Sequence, residues 1–298
     1  MRAVYREEAC RSALNKVKGM GFAWSLNPYT GCVHRCTFCY VRAFELRADR
    51  PADDRYGRSI RVKVNVAEVL AQELARPSWN RDQVAIGAAT DPYQPAEGRY
   101  RLTRACIEQL GRAKTPLRLI TRGPLVVRDV DVLQEASRRA DVGVMFSVPT
   151  LDHDVWRTTE PGTAPPRQRL RALSKLVDAG IKASVGMAPI LPGLSDRPEQ
   201  LAEVVKAVRE AGATSVWANL LYLQPGTREH FLEALARDWP EQLERYEDLY
   251  ARRAYLPRAE VDPVRNHVRA LARQHGVRDR RKRPLEPPPE PLQLTLAL

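Results

Sequence analysis

Residues 27–44 read NPYTGCVHRCTFCYVRAF, and three cysteines stand among them as Cys32-x3-Cys36-x2-Cys39. A loop this tight can direct three thiolates at three corners of one iron–sulfur cube, which leaves the fourth iron without a protein ligand. A vacant coordination position separates metal sites that do chemistry from those that are closed and structural. The run just before the loop, FAWSLNP at 22–28, is apolar and β-prone, so the cysteines follow directly on a strand. The same cysteines can be read as a zinc site completed by His34, Cys10 or Cys106. The position of His34 between two ligands and the lack of a second CxxC or HxxxH pair count against that reading.

Outward from this loop, apolar β-prone runs alternate with amphipathic stretches of helical period from about 22 to 236. Strands are expected at 22–28, 84–89, 117–121, 142–148, 181–188 and 215–222. Helices are expected near 67–75, 102–112, 129–138, 167–179, 198–211 and 227–236. Six β/α units predict an α/β fold, an incomplete (β/α)6 TIM-like barrel whose chemistry sits in the loops at the C-terminal ends of the strands. The expected organisation is an N-terminal extension at 1–21, the core at 22–238, a helical extension at 239–276 and a tail at 277–298. Trp239, Leu243, Tyr246, Leu249 and Tyr250 recur at helical spacing, as core residues do. The tail runs from a basic cluster (RDRRKR) through a stiff Pro-rich linker (PLEPPPEP) to QLTLAL, a composition that predicts disorder.

The 298 residues carry 48 Lys+Arg against 36 Asp+Glu, a net charge of +12. Such a surplus favours polyanions, DNA or RNA, as partners without identifying one. No apolar run approaches bilayer length, and the N-terminus lacks an apolar secretion segment, so no membrane partner and a cytoplasmic location are expected. Three of the five cysteines fall within eight residues, a pattern that fits a thiolate metal site in a reducing compartment better than a disulfide framework.

With Cys-x3-Cys-x2-Cys in the first β/α loop, the chain resembles the radical S-adenosylmethionine (SAM) superfamily. The surrounding stretch is similar to its branch related to spore photoproduct lyase, the DNA repair photolyase-like proteins, over about residues 8–275. The resemblance implies a [4Fe–4S] cluster on Cys32, Cys36 and Cys39, SAM on the open iron, and a reductant such as ferredoxin or flavodoxin. One electron then cleaves SAM to methionine and a 5′-deoxyadenosyl radical that abstracts hydrogen from substrate. For cofactor binding it implies Phe38 or Tyr40 against the adenine, and Thr90 with Asp91 in the loop AATDPYQPAEG. It further implies Arg122 at the SAM carboxylate, Ser147 at the ribose and Met187 on the adenine-facing strand. Tyr93, Glu160 and Arg169 are substrate candidates, the last two equally readable as an ion pair that braces its loop.

Ala88 stands where photoproduct lyases carry a hydrogen-donor cysteine, which puts that repair reaction in doubt. Three readings stay open: a radical SAM enzyme acting on nucleic acid, one acting on a peptide or small metabolite, and a non-catalytic metal-binding protein. Gln293 to Leu298 resembles the peptides with which bacterial repair and replication proteins bind the DNA sliding clamp.

Overall fold

The structure is a computed structural model that describes residues 3–288. Its strands are β1 (Val4–Glu8), β2 (Leu14–Lys16), β3 (Trp24–Leu26), β4 (Tyr29–Thr30), β5 (Ser59–Lys63), β6 (Val84–Ile86), β7 (Leu117–Thr121), β8 (Val142–Ser147), β9 (Lys182–Ile190) and β10 (Val216–Leu220). Seven form one sheet in the order β10-β9-β8-β7-β6-β3-β2. The six from β3 to β10 are parallel, and they are the strands that the apolar runs predict. β2 closes the far edge antiparallel to β3.

Alternation sorts the two faces of this sheet. Leu117, Leu119, Val142, Val144, Phe146, Ala183, Val185 and Met187 are buried against the outer helices, where Ile107, Leu133, Leu173, Leu176 and Val204 meet them in one core. The intervening residues turn inward. In register across β8, β9 and β10, Ser147 lies beside Gly186 and Gly186 beside Trp217. Arg122, one residue beyond β7, continues this inner row. The inner face is not filled: Trp217 is 44% exposed, its Nε1 lying 2.8 Å from the Met145 sulfur.

Two parts of the fold escape the sequence pattern. β5 pairs in parallel with β1 and antiparallel with β4, building a three-stranded side sheet from segments expected to be extension and loop. Only Ile60 and Val62 of β5 are buried, and two alternating apolar residues among charges are too few to announce a strand. At the other end, helix Arg258–Gln274 packs on β10 and on helix Pro198–Glu210, with Arg265 donating to Asn219 Oδ1 at 2.7 Å. It covers the edge that six strands without full closure would leave open.

The described part of the tail does not leave the barrel at once. Arg281 is buried and donates to the Gly180 carbonyl at 2.9 Å, with Asp279 and Glu286 supplying its countercharges. Leu285 N donates to the same carbonyl at 3.1 Å. One arginine of the basic run is therefore structural, and a backbone acceptor left over at a helix end is what holds it. The clamp-like segment Gln293–Leu298 lies outside the described residues. Among the described residues, no helix is long and apolar enough to cross a membrane.

Leu271, on the buried face of helix Arg258–Gln274, is 7% exposed. Leu271→Ala is expected to lower stability by about 2–3 kcal/mol in urea unfolding, through lost burial and a cavity at the sheet edge.

Candidate active site

β3 and β4 deliver the chain into the cysteine loop. Cys32 and Cys36 are buried, Cys39 is half-buried, and all three are free thiols. The loop is held from several sides. Thr90 Oγ1 and Gln94 Nε2 donate to the Gly31 carbonyl at 2.7 and 3.1 Å, while Val33 N donates to Gln94 Oε1 at 3.1 Å. From the other side Thr37 N reaches the Thr159 carbonyl at 2.9 Å, and Gly162 N reaches that of His34 at 3.0 Å. Two glycines permit the close approach. A Cβ on Gly57, which has φ +76°, would lie 2.3 Å from the Cys32 carbonyl oxygen, and one on Gly162 would lie 2.4 Å from that of Val33.

Asp91 ties three loops together. Its carboxylate accepts from Tyr93 N at 2.9 Å, Thr121 Oγ1 at 2.7 Å and Arg122 N at 2.6 Å, and His34 Nδ1 lies 3.3 Å away. Burial alone would raise its pKa. The His34 charge and these hydrogen bonds outweigh burial and hold it down at about 2. Thr90 and Asp91 thus fix the cysteine loop rather than stand free for a cofactor. Tyr93 turns away from the mouth altogether, its hydroxyl donating to the buried Asp129 at 3.0 Å.

Arg122 sits at the centre of the mouth. Its guanidinium lies 5.7 Å from the centre of the Phe38 ring, and its Nε donates to Glu160 Oε1 at 3.2 Å. Glu160 is itself gripped by Arg169, which also donates to the Ser147 and Ala164 carbonyls, both at 2.8 Å, and to Thr163 Oγ1. Burial would raise the Glu160 pKa, but Arg169 and Arg122 together hold it below the ordinary carboxylate value. Arg169 is fully buried with every nitrogen engaged, so the bracing reading fits it and a substrate contact does not. Ser147 is different. Among the described residues its hydroxyl has no hydrogen-bond partner, and its place in the inner row puts it beside Arg122. Met187 points outward into the helix-facing core, so only its backbone can serve the mouth. Tyr40 donates to the Ala88 carbonyl and meets the edge of Phe44 at 5.8 Å.

Sequence reasoning missed Gln94, Arg42 and Tyr56. Gln94 lies within the polar loop already singled out, and its complete burial is what marks it. Arg42 follows three residues after Cys39, but nothing in the sequence says that residues 52–56 fold over it. Arg42 is 1% exposed, lacks a carboxylate partner among the described residues, and leaves its Nε without an acceptor. Its Nη1 reaches the Ala52 and Asp53 carbonyls at 2.6 and 2.8 Å, and the guanidinium lies 4.7 Å from the centre of the Tyr56 ring. The Tyr56 hydroxyl in turn lies 3.7 Å from the Cys39 sulfur.

These residues fit a thiolate-held cluster. Burial pushes the Cys36 thiol well up, with Arg122 the chief opposing charge, and burial also raises Cys39. A cluster would therefore have to displace their protons, and its net negative charge, counted with three thiolates, would compensate the lone buried Arg42 cation. Among the described residues no group of three or more His, Cys, Asp or Glu side chains, the three cysteines included, is placed to hold a metal ion. Cys10 and Cys106 belong to the helix-facing core, away from the loop, and His34 is engaged with Asp91.

Asp91→Ala strands four donors in the interior, and a loss of about 3–5 kcal/mol in urea unfolding is expected. Because its folded-state pKa is depressed, the stabilisation is present above the ordinary carboxylate value of ~3.9 and is lost as pH falls toward about 2. Unfolding titrations of wild type and variant between those limits should converge as pH falls.

The profile of the radical SAM superfamily matches residues 26–205, more than half of the chain. An uncharacterized protein of Mycobacterium tuberculosis is 38% identical over 276 residues, which cover 92% of this chain and 81% of that protein. Another, from Methanocaldococcus jannaschii, is 24% identical over 252 residues, 83% of this chain and 88% of that protein. Spore photoproduct lyase complexed with dinucleoside spore photoproduct superposes with a TM-score of 0.70 at 18% identity, over 91% of this chain and 79% of that one. A mutant of the same enzyme with bound AdoMet and the dinucleoside gives 0.69 at 20% identity over the same shares, 91% and 79%. At such identities the likeness shows a shared fold. A [4Fe–4S] cluster and AdoMet are what the superfamily implies. On the profile, the fold and the cysteine loop at the mouth of the barrel, the chain belongs to the radical SAM superfamily of enzymes.

Proposed function

We propose that the enzyme binds its cluster through Cys32, Cys36 and Cys39, binds SAM between Arg122, Ser147 and Phe38, and acts on nucleic acid. The observation that carries the cofactor assignment is the inner row. Arg122 and Ser147 lie on neighbouring strands, and Arg122 faces the Phe38 ring that precedes Cys39. Together, cluster and SAM supply one-electron cleavage of a carbon–sulfur bond and so a radical able to take hydrogen from substrate.

The protein's part is binding and placement. Glu160 accepts from Arg122 Nε and the Ala188 carbonyl accepts from its Nη2 at 3.4 Å, which leaves Nη1 to donate a charge-assisted hydrogen bond to a carboxylate. The Ser147 hydroxyl is available to a ribose. Phe38 and Tyr40 offer apolar faces for an adenine, and the β9 backbone near Met187 closes that side. An external one-electron donor, ferredoxin or flavodoxin, is required by the chemistry.

Nucleic acid as substrate is supported by the net charge of +12 and by the photoproduct lyase fold, solved with a dinucleoside lesion. Dimer repair through a cysteine is not the reaction proposed. Ala88 carries a methyl group where that donor would stand, and its carbonyl is taken by Tyr40. Cys106 is fully buried in the outer core. Recruitment to a sliding clamp through Gln293–Leu298 would be a separate contact, tested by titrating that peptide into purified clamp.

Anaerobically reconstituted protein should be brown and hold about four irons and four sulfides per chain. Cys32→Ala, Cys36→Ala and Cys39→Ala should each lose the cluster; a normal iron content and spectrum in any of them overturns the ligand assignment. With the cluster intact, Arg122→Ala and Ser147→Ala should each weaken SAM binding in equilibrium dialysis. Losing a hydrogen bond to a charged group costs about 1.5–3 kcal/mol, roughly tenfold or more in affinity, so the larger effect belongs to Arg122. Unchanged SAM affinity in both places the cofactor elsewhere.

A further inference from the structure

A pair of tyrosines stands on the rim of the mouth with no place in the chemistry above. Tyr222 follows β10 by two residues, and Tyr255 lies in the turn between helices Leu243–Tyr250 and Arg258–Gln274. Their rings stack with centroids 4.0 Å apart and planes 27° from parallel. Tyr255 is 66% exposed, the most open of the large apolar side chains described. Burying an aromatic ring is strongly favourable, so leaving one this open, with its outer face unoccupied, calls for a partner.

The pair is fixed rather than trailing. Leu223 N donates to the Ala254 carbonyl at 3.0 Å, which binds the two loops together. The post-β10 loop is in turn seated on the cysteine loop, with Thr227 Oγ1 donating to the Cys39 carbonyl at 3.2 Å. Helix Val41–Arg47, which starts two residues after Cys39, supplies a second exposed aromatic, Phe44, with the Arg47 guanidinium 4.9 Å from its ring centre. Arg47 also lies within electrostatic reach of the Tyr222 hydroxyl.

Charge decides what kind of partner this rim fits. Arg252 and Arg253 are exposed in the same turn as Tyr255. Glu45 and Glu229 are taken by Arg50 and Arg228, the exposed Glu247 and Asp248 lie in the helix before the turn, and among the described residues neither those two nor Arg47, Arg252 and Arg253 form an ion pair. Flat exposed rings between unpaired guanidinium groups match stacked bases on a phosphate backbone, whereas an apolar protein surface would strand those charges.

We propose that Tyr255, stacked on Tyr222 and flanked by Arg47, Arg252 and Arg253, forms a base-stacking platform that holds single-stranded nucleic acid at the active-site mouth. The proposal rests on the nucleic-acid reading of the function and names the surface that performs it. The platform is sequence-tolerant, because every base has a flat face, and it holds the strand beside the cysteine loop without reading it.

The test is fluorescence anisotropy of a labelled thymidine oligonucleotide with anaerobically purified full-length protein across a salt series. The cluster absorbance checks that each variant is folded. Tyr255→Ala should weaken binding by about tenfold or more while leaving the slope of log affinity against log salt unchanged, and Tyr255→Phe should bind as the wild type does. Arg252→Ala combined with Arg253→Ala should instead flatten that slope by about 0.7 for each phosphate no longer neutralised. Wild-type affinity in Tyr255→Ala overturns the platform and leaves the nucleic-acid reading standing. Absence of salt-dependent binding by the wild type to single-stranded DNA, RNA and duplex alike removes both.

Discussion

The Asp91 carboxylate is the constraint on which the mouth of this barrel depends. It lies where three C-terminal loops meet, and its two oxygens accept from all of them: the loop after β6, the end of β7 and the cysteine loop. Ionising a carboxylate away from water is costly, and here several donors converge to offset that cost. Those donors are thereby fixed in place. The backbone at Arg122 cannot shift without breaking a 2.6 Å bond to Asp91, so the arginine side chain starts from a set position. His34, between the first two cysteines, is held by the same group. The loop proposed to hold three thiolates at cluster spacing gains its rigidity from a residue outside the motif.

Around this anchor the charged side chains divide by burial. Arg169 is completely enclosed and is neutralised by Glu160, so it acts as a strut between the Ser147 strand end and the loop at 160–164. Arg122, on the other side of the same carboxylate, keeps a fifth of its side chain accessible and faces the Phe38 ring. One anion thus fixes two cations with different duties. Arg42 is the exception, because it is buried among backbone carbonyls and the Tyr56 ring, with no carboxylate partner among the described residues. A lone interior cation next to free thiols lacks a countercharge, and would gain one if, as proposed, a metal cluster displaced the thiol protons to solvent.

How much of this was legible in the sequence follows from the range of the forces involved. The six parallel strands and their helices are written in local periodicity, and the cysteine loop in spacing; both survive without tertiary knowledge. Side-chain direction at the strand ends is not local. Ser147 ends β8 and Met187 lies three residues before the end of β9, yet a register that differs by one residue sends Met187 into the helices and Ser147 into the inner row. Tyr93 sits two residues after Asp91 in a loop that reads as a single polar unit, but its hydroxyl is drawn to the buried Asp129 between Arg104 and Arg128, which no spacing reveals. Likewise β5 depends on pairing with β1 and β4 from distant parts of the chain.

The incompleteness of the barrel bears on what it can admit. Eight strands close a sheet so that inward side chains fill it. Here six parallel strands end at β10, whose outer edge is covered by helix Arg258–Gln274 and whose inner face keeps Trp217 largely open. Covering the edge from outside satisfies the strand without plugging the interior. The inner face therefore sets the apolar Trp217 in the same row as the cationic Arg122, with Met145 below them and the rings of the rim beyond. The proposed nucleic-acid substrate would meet these surfaces in turn: charge attracts at long range, aromatic faces orient at contact, and the apolar lining excludes water where reactive carbon chemistry would take place.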